Sequence, residues 1–415
     1  MSHAIHAAAA KNLREAYKED QKEDFVAAHA HATPLSLLSL PLSIRANRIS
    51  RAVFICWYRF ELRLPQLERI GNLRYVEKLG YGAERCVGDC RNQPFLDLHA
   101  THANLAKCKS TAAGRHFRHT LLKWAINYLA GLAGCRAVIE PPTNRVLLEE
   151  YSPQQCRGLF LHHPSKKERQ AAEKLHAEFT QIFKLPPEER VEKTKDANAR
   201  LQAILNSRKK KKGLRLDLWI TDPSTGDEAF IDMACTHPNS KSHLAAEVKR
   251  TKERLATSDK SIRKLPGAAV EKMEKAKTST YALLHSIALK QASDGMRPSE
   301  PELFGAIVST HGEFSPGMLK LQEWLTCKYA ARVRREGDRD DGIDEDVLIG
   351  RFRNKIRGDV LRAMVSGHAA MMLAAGLPMG GARLRCSNAN AKGSDPKNSD
   401  SDSDSDSNSN LDSDK

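Results

Sequence analysis

No apolar run in this chain of 415 residues approaches the roughly 18–20 residues that a membrane span requires, which excludes a spanning helix. No secretory signal precedes the nine cysteines, and their number is odd, so the thiols are expected to be free or metal-bound in a reducing compartment rather than paired as disulfides. The N-terminal stretch does not lack acids either: Glu15, Glu19, Asp20 and Glu23 argue against an organelle transit peptide. These absences together predict a soluble intracellular protein.

What the chain has in excess is positive charge, +15 in total and unevenly spread. From Ser387 onward three Lys stand against seven Asp, a net of −4, so the preceding residues carry +19. A body that basic points to phosphate, most often nucleic acid. The run Arg208-Lys-Lys-Lys-Lys212 suits either a nuclear-localisation or phosphate-contact patch, or a solvated linker. A nuclear location follows as an expectation.

Composition divides the chain. Residues 1–50 read as a helical, flexible N-terminal region. Residues 51–84 read as a helical docking segment, with Phe54, Trp57, Tyr58 and Phe60 among arginines. A compact cluster occupies 85–110: Cys86-x3-Cys90, then His99, His102 and Cys108. Three thiols and one imidazole can close a tetrahedral zinc site, and either His102 or His99 can supply the nitrogen. The main domain spans 115–380 and contains a polar, basic, helical insertion at 152–212. The Ser/Asp-rich segment 386–415 cannot bury a core and is expected to be disordered.

Within the main domain, Arg115 to Ala133 has helical periodicity, with Phe117, Leu121, Leu122, Trp124, Ala125, Tyr128 and Leu129 on one broad apolar face. Ala137–Glu140 begins a strand that Pro141 and Pro142 stop, and Val146–Glu150 is a possible second strand. Arg215–Ile220 and Glu228–Pro238 flank a turn-forming segment rich in Asp, Pro, Ser, Thr and Gly, which predicts a β-hairpin. A long helical stretch over 242–290, broken at Pro266-Gly267, precedes a strand at Leu303–Ser309 and helices at Met318–Arg335 and Val347–Leu373. The fold class is therefore α/β (α+β): a small mixed sheet flanked by helices around one core.

The hairpin carries the chemistry. Asp217 on its first strand and Asp232 on its second sit in apolar company, where a bare carboxylate is costly unless positive charge offsets its desolvation. Paired across the hairpin, they can hold a hard cation such as Mg²⁺. Glu140 stands at the preceding strand end. Lys277 precedes Tyr281 by four residues, so the two share a helix face, whereas Lys275 is about 200° around the helix from Lys277. Carboxylates that bind metal, with a cation near the scissile phosphate, are the requirements of metal-dependent phosphodiester cleavage.

Taken in order, these residues resemble the restriction-like endonuclease that follows the polymerase in site-specific retrotransposons lacking long terminal repeats, a member of the PD-(D/E)xK group. The corresponding motifs are the Cys86–Cys108 cluster, Arg118-His119-Thr120, Glu140-Pro141, Arg215-Leu216-Asp217, Asp232 with fourteen residues between, and Lys277-x3-Tyr281. Thr236-His237-Pro238 and Ser309-Thr310-His311-Gly312 also look like the family, and the resemblance covers about Arg51 to Leu373. Departures are Thr120 for the usual Asn or Asp, Leu216 for proline, the x3 cysteine gap, and no lysine in Asp232-Met233-Ala234. A polymerase, which precedes the nuclease in that family, is not expected here, because no Tyr/Phe-x-Asp-Asp sequence occurs.

The resemblance implies a restriction-endonuclease-like core and a Mg²⁺-dependent DNA endonuclease. Asp217, Asp232, Lys277, Glu140 and Tyr281 would be catalytic, with Asp217 and Asp232 on Mg²⁺. Zn²⁺ would be structural, and Arg118, His119, Arg215 and Lys275 would touch nucleic acid, either DNA or the RNA of such an element. The competing expectation is a catalytically inactive nucleic-acid-binding remnant of such an element.

Overall fold

Helix α1 (Ala112–Leu132) leads directly into strand β1 (Arg136–Ile139), because its last turn closes on glycine. Gly134 adopts φ +82°, Gly134 N–H donates to Gly131 C=O, and Cys135 N–H reaches back to Ala130 C=O at 2.9 Å. That paired closure satisfies the final carbonyls and turns the chain into the sheet. The structure is a computed structural model that describes residues 111–148, 151–161, 166–206, 213–238, 243–256, 266–336 and 344–374, with Val53 and Cys108. The segments expected at 1–50 and 51–84 (Val53 apart), Cys86, Cys90, His99, His102, the run Arg208–Lys212 and the tail from 386 lie outside the described residues.

After β1 come four helices, α2 (Thr143–Val146), α3 (Pro153–Leu159), α4 (Lys166–Ile182) and α5 (Pro187–Asn206). The hairpin β2 (Leu218–Thr221) and β3 (Glu228–Thr236) follows, then α6 (Leu244–Ala256), α7 (Ala268–Ser293), β4 (Glu302–Ser309), α8 (Pro316–Glu336) and α9 (Glu345–Ala374). The strands form one four-stranded mixed sheet in the order β1-β2-β3-β4, antiparallel except for the parallel β3–β4 pair. That parallel step requires a crossover, which α6 and α7 provide. Among the described residues no helix is long and apolar enough to cross a membrane.

Alternation along β3 divides the interior in two. Ala229, Ile231 and Met233 join Leu122, Ile126 and Leu129 of α1 with residues of α8 and α9 in one apolar cluster. Phe230 joins Tyr281, Leu284 and Ile287 of α7 with Phe179 and Leu201 in the other. Helices therefore cover both faces of the sheet, where one core was expected, and residues of 152–212 belong to the second. Ala172, Leu175, Phe179 and Ile182, at helical spacing, are the buried line of α4. Val146, expected to begin a strand, ends the short helix α2 that Pro142 opens, and Leu148 adopts φ +52°, which breaks any extended run there. Arg297 fastens this region: buried, it bonds Glu228 and the Val146 carbonyl and donates to Gln291 Oε1 at 2.9 Å.

Helices α1 and α9 meet at two glycines. A Cβ built at Gly114 would come within 2.7 Å of Met371 Cα, and one at Gly367 within 2.6 Å of Arg118 Cα. The backbones therefore approach too closely for any larger side chain. Gly367→Ala is expected to lower stability by about 1–3 kcal/mol through overpacking, measured by urea unfolding. Gly131, near the exposed end of α1 with nothing near its missing Cβ, is the control; Gly131→Ala is expected to gain about 0.5–1 kcal/mol.

Candidate active site

Asp217 sits at a bend just before β2, tied into the sheet by its N–H to Ile231 C=O at 3.0 Å and by its C=O, which accepts from Glu140 N–H at 3.0 Å. Asp232 lies within β3, opposite Gly305 of β4. Their exposures are 8% and 3%. A Cβ at Gly305 would press on Glu274 and Thr278 of α7, so the bare glycine lets that helix close over Asp232. The start of α7 is held by two buried carboxylates: Glu313 accepts from Gly267 N–H at 2.7 Å and Glu247 from Ala269 N–H at 2.6 Å. Free amides at a helix start favour anionic partners, so these contacts fix where α7 begins.

Each face of the sheet sends charge to this pair. From α7, Lys277 Nζ stands 2.8 Å from Asp232 Oδ2, a close charge contact off the axis of an aligned hydrogen bond. From α1, His119 Nε2 lies 3.1 Å from Asp217 Oδ2 and 3.1 Å from the Met233 carbonyl. Both partners are acceptors, so Nε2 carries the proton. Met233 N–H donates to the same Asp217 oxygen at 2.6 Å. Lys123, one turn beyond His119 on α1, bonds Glu140 and stands 3.9 Å from Asp217 Oδ1.

The two acids are driven apart electrostatically. Burial raises Asp217, but the hydrogen bond and charge of His119 and the Met233 amide outweigh it and hold the carboxyl below its ordinary value. Burial, with the charge of Asp217, pushes Asp232 up to about 7 despite the opposing Lys277. Glu140 is held below its usual range by its hydrogen bond to Lys123 and the ammonium charge. Its backbone takes φ +48°, a conformation costing of order 1–3 kcal/mol for a non-glycine residue. That turn places the half-exposed carboxylate on Lys123 at the strand end.

The expected residues separate on this geometry. Asp217, Asp232, Glu140, Lys277 and His119 come together. His119 contacts the Asp217 carboxylate, where a contact to nucleic acid was expected. Tyr281 shares the Lys277 face but is 1% exposed, and its hydroxyl donates to Arg215 C=O at 2.5 Å. Burial and the two Asp charges push that phenol far above its normal value, so it braces the approach to Asp217 rather than exchanging protons. Lys275 points outward and bonds Glu271 at 2.7 Å. Arg118, expected at a nucleic-acid surface, is 5% exposed beneath α9, which leaves it no face for a phosphate. His237 and His311 lie with their rings 6.1 Å apart, His237 Nδ1 within 2.9 Å of the Thr310 hydroxyl. Cys108 is buried, and its carbonyl accepts from Arg115 at 2.9 Å; the other expected zinc ligands are outside the described residues.

Lys123 is the residue that sequence reasoning missed. The available signal was its spacing, four residues after His119 on the same helix face. No family model matches this chain, and no curated protein matches it.

A protonated Asp232 makes stability fall as pH rises. Between 3.8, its ordinary value, and about 7 the folded state holds a proton that the unfolded state has released. Stability is therefore expected to decline across that window and level off above it, and Asp232→Asn should remove the decline. Thermal melts of both proteins across the window check this; parallel curves would show that Asp232 does not titrate high.

Proposed function

We propose that this protein is a Mg²⁺-dependent DNA endonuclease with a restriction-endonuclease-like catalytic core. The observation that carries this reading is the convergence of Asp217 and Asp232 with Lys277 at 2.8 Å, reached from separate elements and in the order the family resemblance implies. A small mixed sheet flanked by helices is a scaffold that suits such a core, and a net charge of +15 suits a polyanionic substrate.

The donor set fits a hard divalent cation. Asp232 is raised by burial and by repulsion from Asp217, which is the energetic signature of two carboxylates without enough positive charge between them. Among the described residues no group of three or more His, Cys, Asp and Glu is arranged as a metal cage. Two carboxylates leave the remaining positions to water and phosphate oxygens, the usual way Mg²⁺ is held. When bound, the cation supplies the Lewis acidity that lowers the pKa of water and neutralises the departing oxygen.

The chain's own residues perform the rest. Asp217 and Asp232 would hold the cation, and Lys277 orients the attacking water or a non-bridging phosphate oxygen from the α7 side. His119 keeps Asp217 ionised and fixes the direction of its carboxyl. Lys123 balances the charge of Glu140 and Asp217 from the α1 side. The burial of Asp232 at 3% exposure favours a second reading, a catalytically silent nucleic-acid-binding protein whose carboxylates are sealed.

Plasmid nicking with Mg²⁺ against EDTA separates the two. Asp217→Ala and Asp232→Ala are each expected to abolish nicking with DNA affinity retained. Lys277→Ala should lose orders of magnitude, while Lys275→Ala changes mainly affinity and its salt dependence. Thermal stabilisation by Mg²⁺ in the parent, lost in both Asp variants, is the readout independent of turnover. No nicking and no Mg²⁺ stabilisation in the parent protein would establish the silent reading.

A further inference from the structure

The outer face of α1 has no role in the site described above. Phe117, Trp124 and Tyr128 are 45%, 57% and 54% exposed, although each is a large ring on a helix whose inward line is Leu122, Ile126 and Leu129. At about 100° per residue, Trp124 lies about 20° from the direction of Phe117, and Tyr128 about 40° from Trp124. The three rings therefore form one narrow stripe, spaced by roughly 10 Å and 6 Å along the axis. Three neighbouring aromatic rings left in water mark a surface with a partner.

We propose that Phe117, Trp124 and Tyr128 form a stacking platform for the bases of single-stranded DNA. Every base offers a π face, so a row of rings binds a strand without needing sequence contacts. Charge points to the same occupant. Helix α1 carries no carboxylate to repel a phosphate backbone, and His116, beside Phe117, is exposed. Lys355 of α9, itself paired with Asp359 at 3.2 Å, places its ammonium 5.2 Å from the Tyr128 ring centre at one end of the stripe. Lys123, the residue before Trp124, turns inward to Glu140 and Asp217, about 100° around the helix from the Trp124 ring. The inference goes beyond the nuclease reading and rests only on its nucleic-acid half.

The test measures binding by the full-length protein of labelled oligodeoxythymidine and of an abasic oligomer of equal length, which keeps the phosphates and lacks the bases. The oligodeoxythymidine is expected to bind more tightly. Phe117→Ala and Trp124→Ala should each weaken it about tenfold, leave the abasic oligomer unchanged and leave the melting temperature unaltered. Trp124→Phe should retain most of the affinity and Trp124→Leu should not. Equal affinity for the two oligomers, or equal losses on both, overturns the proposal, as does tighter binding of oligouridine. Loss of self-association in the Ala variants with oligonucleotide binding intact overturns it in favour of a second copy of the chain. Asp232→Asn should keep the ring-dependent affinity. Ring dependence without nicking in any variant removes the nuclease reading alone; normal nicking without ring dependence removes this proposal alone.

Discussion

Two carboxylates withdrawn from water, one just before β2 and one midway along β3, set the terms for everything around them. Neither Asp217 nor Asp232 can be left bare at 8% and 3% exposure. The chain answers with hydrogen bonds and cations from both sides: the Met233 amide, His119 and Lys123 toward the first acid, Lys277 toward the second. The compensation is unequal, and that inequality is itself informative. One acid is driven toward its ionised form and the other toward its protonated form, so the pair holds one proton more readily than two or none.

Holding that arrangement needs rigid helices on each face, and the fold supplies them by different means. Helix α7 is fixed at its start by Glu247 and Glu313, near its middle by the space at Gly305, and at Tyr281 by the Arg215 carbonyl. Helix α1 has no side-chain cap. It is held instead by its glycine closure into β1 and by close backbone contact with α9. The lysine from α7 is therefore positioned by polar contacts and the groups from α1 by packing.

Much of this was legible in the residues. The turn-rich segment between Thr221 and Glu228 separates two strands, and Pro266-Gly267 separates two helices, because those residue types fix backbone geometry locally. Lys277 and Lys275 were told apart by helical phase alone, which a continuous helix preserves. What failed depended on contacts between distant segments. The apolar periodicity of α1 did not reveal which side faces the sheet, so Phe117, Trp124 and Tyr128 were read as inward and Arg118 as outward. Only the approach of α9 settles that choice. Lys123 was unreadable for the same reason: its partners Glu140 and Asp217 come from a strand end and a hairpin that meet it only in three dimensions.

The glycine crossing of α1 and α9 joins the first and last described elements of the fold. Contacts between distant segments carry a high loop-closure cost and form late relative to local ones. During synthesis the hairpin, α7 and Lys277 leave the ribosome well before α9 exists. His119 and Lys123 lack part of their packing support until α9 has docked. The carboxylate pair thus gains its second set of counter-charges in their final places only once α9 has docked, which ties assembly of the site to a contact between the segments farthest apart in the described fold.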